Sequence, residues 1–360
     1  MTCYGMIAIF SALLPAELAA LILLTRFFKR KGINKPVRLL AAAVWLGIFV
    51  FTAKLLIAPP IRAAEPTGEY AVTSEDYWLV EDGADPYAED GELRQLQIRR
   101  WEPVGCTEAL PVVVASHGSC GSINNNVTLY RELASHGYTV LAVCHSGQAA
   151  SMTRSDGKTT GPSLDFLKQM TSVQPDSDPE DAFGIFKEWM AIRVEDLQTV
   201  MDAYAESRGD TEFVMLGHSL GGSAAYAMAR LRGDVVACIA LEAPFMYDIT
   251  GVQNGAFVFD ETPYTVPLLN IYSDSTYGHL REWSQYKENA DMLDEENELY
   301  TNIHYQGVGH MGLCDLSQAS PLFAAIMDGG WQKTEAKTQL EQINADCLAW
   351  LAQVTGANGN

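Results

Sequence analysis

The run Glu212-Phe213-Val214-Met215-Leu216-Gly217-His218-Ser219-Leu220-Gly221-Gly222 is the stretch from which the fold can be read. Its first residues are apolar and strand-like, Gly217 to Gly221 spell Gly-x-Ser-x-Gly, and residues 223–230 continue with a helical pattern. A pentapeptide of this form arises by chance in many chains. Framed by a strand and a helix, it predicts a strained turn that lifts the Ser219 hydroxyl clear of a sheet. Gly217 and Gly221 suit a bend in which a Cβ would collide. Gly222, Ser223, Ala224 and Ala225 are small enough for the helix to lie close against neighbouring strands.

Outward from this run, short apolar segments alternate with helical ones. Residues 93–101 alternate and predict an antiparallel edge strand. Residues 111–116 (Pro-Val-Val-Val-Ala-Ser) have the pattern of a strand buried on both faces. A helix over 127–135, a strand over 138–143, a long polar excursion over 148–181 and a helix over 182–207 lead to the opening run. Beyond it come strands at 235–241, 267–272 and 300–305, with a helix near 280–293 and a closing helix over 335–351. This alternation predicts an α/β fold, a mostly parallel sheet with helices on both faces. Residues 61–92 read as an acidic connector. Glu81-Asp82-Gly83-Ala84-Asp85 and Glu89-Asp90-Gly91-Glu92 lack regular calcium-ligand spacing and are expected to be solvated loops.

The 360 residues are 48% hydrophobic, enough for a sizeable core, and carry a formal net charge of −21. The first sixty residues oppose that sign: Arg26, Lys29, Arg30, Lys31, Lys35, Arg38 and Lys54 stand against Glu17 alone. An acidic body excludes nucleic acid as a partner, because phosphates need a basic face. Residues 4–24 and 39–57 are each near the ~20 apolar residues that cross a bilayer as a helix. They predict an anchor over 1–60, a two-helix transmembrane hairpin with a basic cytoplasmic loop. That topology makes a multi-pass protein of the cell membrane, with the domain over 93–360 on the extracytoplasmic side. Pro15 and Glu17 weaken the first span, but the second and its basic flank give the body the same orientation. No basic segment precedes the first apolar run, which disfavours a cleaved signal peptide. Export would permit disulfides among Cys106, Cys120, Cys144, Cys238, Cys314 and Cys347, with Cys314–Cys347 the candidate pair. Cys238, inside a strand pattern, reads as a buried thiol. No Cys-x-x-Cys pattern points to zinc or redox chemistry.

A parallel sheet carrying Gly-x-Ser-x-Gly between strand and helix predicts the α/β-hydrolase fold, in which serine, acid and histidine follow in that order. Ser219 is the nucleophile candidate and needs a base within hydrogen-bond reach. Of seven histidines, His117, His136, His145 and His218 precede or abut the serine, His279 opens a helical pattern and His304 lies within a strand. His310, in the glycine-flanked loop Gly307-Val308-Gly309-His310-Met311-Gly312, follows the last strand and is the base candidate. Two carboxylates compete for the acid. Asp274 ends the strand Leu268-Leu269-Asn270-Ile271-Tyr272-Ser273-Asp274, and Glu242 ends Ile239-Ala240-Leu241-Glu242. An oxyanion hole needs two N–H groups, expected from Leu220 and from Ser119 in the loop Ser116-His117-Gly118-Ser119-Cys120-Gly121. His117 is expected to buttress that loop.

Ser116-His117-Gly118, Leu133-Ala134-Ser135-His136-Gly137-Tyr138, Gly217-His218-Ser219-Leu220-Gly221-Gly222, Ile239-Ala240-Leu241-Glu242-Ala243 and Gly307-Val308-Gly309-His310 occur in that order. Together they resemble the platelet-activating-factor acetylhydrolase and dienelactone-hydrolase-like branch of α/β-hydrolases, over residues 93–351. The resemblance implies Ser219 as nucleophile, His310 as base, and an oxyanion hole from the N–H groups of Ser119 and Leu220. It implies an acid after the strand that follows the serine's helix, which lands on Glu242, although that branch has Asp there and this chain keeps Asp274 as well. The implied activity is hydrolysis of a carboxylic ester through an acyl-enzyme, with no metal or cofactor. Such a serine esterase would take short or oxidised acyl chains from phospholipids, so small-molecule or lipid esters and the membrane are the expected partners. Polyester (cutinase-like) hydrolysis, acyl transfer and a catalytically silent binding domain are the alternatives. The 148–181 excursion and residues 275–297, with Tyr277 and Trp283, are expected to shape the pocket.

Overall fold

The computed structural model describes residues 3–60, 63–88, 91–174 and 176–356. Eight strands form one sheet: β1 (Val72–Ala84), β2 (Leu93–Pro103), β3 (Val112–Ser116), β4 (Val140–Cys144), β5 (Phe213–His218), β6 (Val235–Leu241), β7 (Leu268–Ser273) and β8 (Tyr300–Tyr305). Their spatial order is 1-2-4-3-5-6-7-8, and only β2 runs against the rest. Helices α1 (Cys3–Arg30) and α2 (Lys35–Ile57) precede the sheet. α3 (Val127–Ser135), α4 (Leu164–Ser172), α5 (Pro179–Arg208), α6 (Leu220–Leu231), α7 (Pro321–Met327) and α8 (Ala336–Thr355) follow, with a further helix over Lys287–Asp294 and several single turns between them.

Strand β3 shows why unbroken apolar runs become central strands. Val112 and Val114 enter the core on one face with Phe186 and Leu197 of α5 and Ala224 and Met228 of α6. Val113 and Ala115 enter the core on the other face with Leu129 and Leu133 of α3 and Leu340 and Ile343 of α8. A residue period of two sends successive side chains to opposite faces, so a strand covered on both sides tolerates no polar alternation. The six parallel strands β3 to β8 open onto one edge, where the loops after β3, β5, β6 and β8 meet. In open α/β sheets this edge is where ligands bind.

Four expectations need correction. Residues 61–92 are not a loose connector: β1 lies within them and pairs with β2 along its length, so the folded domain begins well before residue 93. Tyr77 and Leu79 of β1 pack on the core, while Glu75 and Asp76 pair with Arg100 and Arg99 of β2. β2 is therefore an interior strand and β1 the edge. Asp85, read as solvated, is buried and bonds Arg94 at 3.0 Å; Glu89 and Asp90 lie outside the described residues. All six body cysteines are free thiols, so Cys314 and Cys347 form no disulfide and sit separately in the core.

Among the described residues, one helix, α2, is long and apolar enough to cross a membrane. α1 packs against it, but Pro15 and Glu17 interrupt its apolar middle. Glu17 is held by α2: its carboxylate accepts the Thr52 hydroxyl and its carbonyl accepts the Trp45 indole N–H, each at 2.8 Å.

Candidate active site

The turn after β5 carries Ser219 with φ 54° and ψ −126°, a conformation that costs an L-residue of order 1–3 kcal/mol. Backbone packing enforces it. A Cβ on Gly217 would meet the Gly221 carbonyl at 2.2 Å, and one on Gly221 would meet the Ser116 carbonyl at 2.1 Å. The Ser219 N–H donates to Leu241 O at 2.9 Å, tying the turn to β6. The side chain caps nothing in α6. Instead Ser219 lines a cavity of about 540 Å³ with His310, Ser119, Met170, Met311, Phe323 and Met327.

His310 opens the turn after β8. Its N–H donates to the Ser275 hydroxyl at 3.0 Å, and its ring Nδ1 lies 2.5 Å from Glu242 Oε2. Glu242, at the end of β6, is fully buried. Its Oε1 accepts both the N–H and the hydroxyl of Ser273 at 2.7 Å. Burial alone would raise this carboxyl, but the His310 hydrogen bond and charge, with Ser273, hold it below the usual range. Burial would likewise lower His310, and the Glu242 carboxylate outweighs it and raises the imidazole above 6.5. A proton held on Nδ1 by Glu242 leaves Nε2 of the neutral ring as an acceptor.

Asp274 is elsewhere. Its carboxylate accepts the Gly307 N–H at 2.7 Å and lies 2.9 Å from His304 Nε2. It braces the loop that leads to His310 without reaching the ring. Tyr277 and Trp283 also miss the cavity: Tyr277 stacks on His304 at 3.9 Å and Trp283 on His279 at 4.6 Å. The polar excursion does contribute, through Ala150 and Met170, and the remaining apolar wall comes from residues 311–327.

The loop after β3 runs beside the serine. A Cβ on Gly118 would stand 3.3 Å from Ser219 Cβ, so only glycine lets the backbone approach this closely without displacing it. His145 N–H donates to His117 Nε2 at 3.2 Å, which leaves the His117 proton on Nδ1, donating to Gly118 O at 2.7 Å. Burial, then the Arg193 charge, hold His117 neutral, well below the ordinary histidine range. In a trans peptide the carbonyl and the following N–H point in opposite directions. With Gly118 O drawn toward His117, the Ser119 N–H faces away from it, on a residue that lines the cavity. Leu220 is the first residue of α6, and an N–H there has no acceptor within the helix.

Sequence reasoning missed what stands behind this loop. Arg193, fully buried on α5, donates to Gln148 Oε1 at 2.7 Å, to Ser116 Oγ at 3.1 Å and to the His117 carbonyl. Asp196, one turn on, accepts from Arg94 Nε at 2.5 Å and from His145 Nδ1 at 2.7 Å, and His145 Nε2 meets Ser116 Oγ at 2.8 Å. Burial drives His145 down to about 4, so Nε2 is an acceptor for the Ser116 hydroxyl. The signal was present: Arg193 and Asp196 fall on the stripe of α5 that also carries Met190, Leu197 and Met201. Charges on an apolar stripe announce a buried network. His218 was also set aside. Its ring lies 4.6 Å from that of His310, and its Nε2 donates to the His310 carbonyl at 3.2 Å.

Residues 107–291 match the hydrolase family described as serine aminopeptidase, S33. The chain belongs to that family. The match takes in Ser119, Ser219, Leu220, Glu242 and Asp274, and ends before His310. Among solved structures, this S33-family hydrolase superposes on a ferulic acid esterase from Streptomyces cinnamoneus with a TM-score of 0.59 at 18% identity, covering 83% of this chain and 94% of that one. It superposes on a dienelactone-hydrolase-like promiscuous phosphotriesterase from metagenomic libraries with a TM-score of 0.50 at 14% identity, covering 79% and 99%. At these identities the likeness is one of fold, an α/β-hydrolase. No curated protein matches the S33-family chain by sequence.

Proposed function

We propose that the protein is a membrane-anchored serine hydrolase that cleaves carboxylic esters through an acyl-enzyme. Ser219 is the nucleophile, His310 the base and Glu242 the acid, with the Ser119 and Leu220 N–H groups as oxyanion hole. The observation that carries this reading is the 2.5 Å contact between His310 Nδ1 and buried Glu242, in a ring that lines one apolar cavity with Ser219. In the first step Nε2 takes the Ser219 proton as Oγ attacks the ester carbonyl. The imidazolium then returns the proton to the leaving alcohol, and water repeats the sequence to release the acid. The negative oxygen of each tetrahedral intermediate sits against two N–H groups held before the reaction begins. The esterase named among the fold relatives agrees with this chemistry.

The methionine- and phenylalanine-lined cavity favours an acyl group over a polar substituent, as in short or oxidised acyl esters of phospholipids. For the anchor, α2 has the length and apolarity of a span, and α1 paired beside it makes the two-helix hairpin the arrangement we favour. The basic loop between them then stays cytoplasmic, and the body lies outside. A fluorophosphonate probe should label the full-length protein, and Ser219→Ala should abolish both labelling and p-nitrophenyl acetate turnover. Turnover that persists in that variant refutes the nucleophile. An aminoacyl p-nitroanilide in the substrate panel separates an aminopeptidase from an esterase, and added alcohols separate acyl transfer from hydrolysis.

A further inference from the structure

Helix α7 connects the end of the apolar helix to the mouth of the cavity. The Ser320 hydroxyl, at the start of α7, donates to the carbonyl of Ile57, the last residue of α2, at 2.6 Å. α7 also packs against α2. On its outer face Phe323, Ile326 and Met327 follow at i, i+3 and i+4, and are 49, 66 and 53% exposed. Trp331, just beyond, is exposed as well. The single charge in residues 321–331, Asp328, is turned inward, where its carboxylate accepts the Met311 N–H at 3.0 Å. Phe323 and Met327 belong at once to this outer face and to the lining of the cavity that holds Ser219 and His310. A large apolar face left in water marks a surface that something covers. What covers it follows from the Ile57 bond. A spanning helix ends at the headgroups, so a group bonded to its last residue lies at that depth.

We infer that α7 and Trp331 rest on the outer surface of a phospholipid bilayer, and that a membrane-borne acyl chain enters the cavity between Phe323 and Met327. This deepens the reading above and rests on it: the substrate class becomes esters presented by the membrane itself. The wall of the cavity and the membrane-contacting face are one short helix. A lipid leaving the leaflet meets Phe323 and Met327 first, and the one charge of this segment, Asp328, is turned away from its path.

The test uses the full-length protein in phosphatidylcholine vesicles doped with a fluorogenic phosphatidylcholine ester, with p-nitrophenyl acetate as a soluble substrate. Ile326 is outside the cavity lining. Ile326→Asp should lower vesicle turnover at least about tenfold, the effect of losing one buried isoleucine side chain, and leave p-nitrophenyl acetate turnover unchanged. Ile326→Leu should keep both rates, and Ile326→Ser serves if the aspartate variant fails to fold. Brominated phosphatidylcholine should quench a component of tryptophan emission that disappears in Trp331→Phe. Equal vesicle rates in wild type and Ile326→Asp, or quenching unaltered by Trp331→Phe, overturn the surface while the esterase reading stands. Loss of self-association in Ile326→Asp with vesicle turnover intact would assign the face to a second copy and overturn it too. A wild type inactive on p-nitrophenyl acetate overturns the esterase reading, and this inference with it.

Discussion

Glu242→Gln tests the candidate triad at its most informative atom. Glu242 Oε1 accepts two bonds from Ser273, while Oε2 accepts from His310 Nδ1. Glutamine has one acceptor oxygen and an NH2 group that only donates. The Ser273 N–H is fixed in the backbone and claims the oxygen, so the NH2 group turns to His310. Two donors then face each other unless the ring moves its proton to Nε2, the atom that must receive the Ser219 proton. The variant keeps its shape and loses its base. By analogy with the carboxylate of serine proteases, kcat should fall by about 10⁴, near 5 kcal/mol of barrier. Asp274→Asn is the control. Its oxygen can still accept the Gly307 N–H, and the contact it loses is with His304, so turnover should stay within about tenfold of wild type. The assay is p-nitrophenyl acetate turnover beside fluorophosphonate labelling, with thermal melts to show that both variants are folded. Equal losses in the two variants, or more than a tenth of the rate left in Glu242→Gln, refute the assignment.

His310 is raised above 6.5, and the proposed base works only when neutral, so kcat/KM should climb with pH through a midpoint above 6.5. The same shifts fix a stability window. The raised His310 stabilises fully below 6.5 and loses that contribution as pH rises through its folded value. The lowered Glu242 stabilises above 4.5 and loses it as pH falls through its own. Urea unfolding should therefore show the gap between wild type and Glu242→Gln to be wider at pH 5.5 than at pH 8.5. Arg193→Leu leaves Ser116, Gln148 and the His117 carbonyl without their buried donor. At ~1–3 kcal/mol for each unsatisfied group, unfolding free energy should drop by at least about 3 kcal/mol in denaturant titration. Ser219→Gly relieves the positive φ and should be about 1 kcal/mol more stable to urea than Ser219→Ala; equal stabilities would mean that the turn holds no strain.

The parallel strands were legible because a strand covered on both faces has to be apolar throughout, as β3 is, and the serine turn because no other residue replaces its glycines. β1 was hidden by its charges. Read alone, Glu75 and Asp76 look solvated, and only the register with β2 sets them opposite Arg100 and Arg99. The choice between Glu242 and Asp274 could not be read from spacing, since both end parallel strands on the same edge of the sheet. It depends on where the loop after β8 sends one ring, and the Ser275, Asp328 and His218 contacts that aim this loop join residues far apart in the chain. The Arg193–Asp196 network is likewise non-local, though its two charges on an apolar helical stripe were in plain view.

Ser273 ends β7, yet both of its donors go to the carboxylate of β6. Two neighbouring strands therefore share custody of one charge: one supplies it, the other grips it. A lineage in which the acid changes strand need not dismantle the site between the two states. The grip already stands at the second location, one residue from Asp274, and His304 already keeps that carboxylate engaged. The chain carries the proposed acid and, next to the residue that grips it, a second carboxylate already engaged by a histidine.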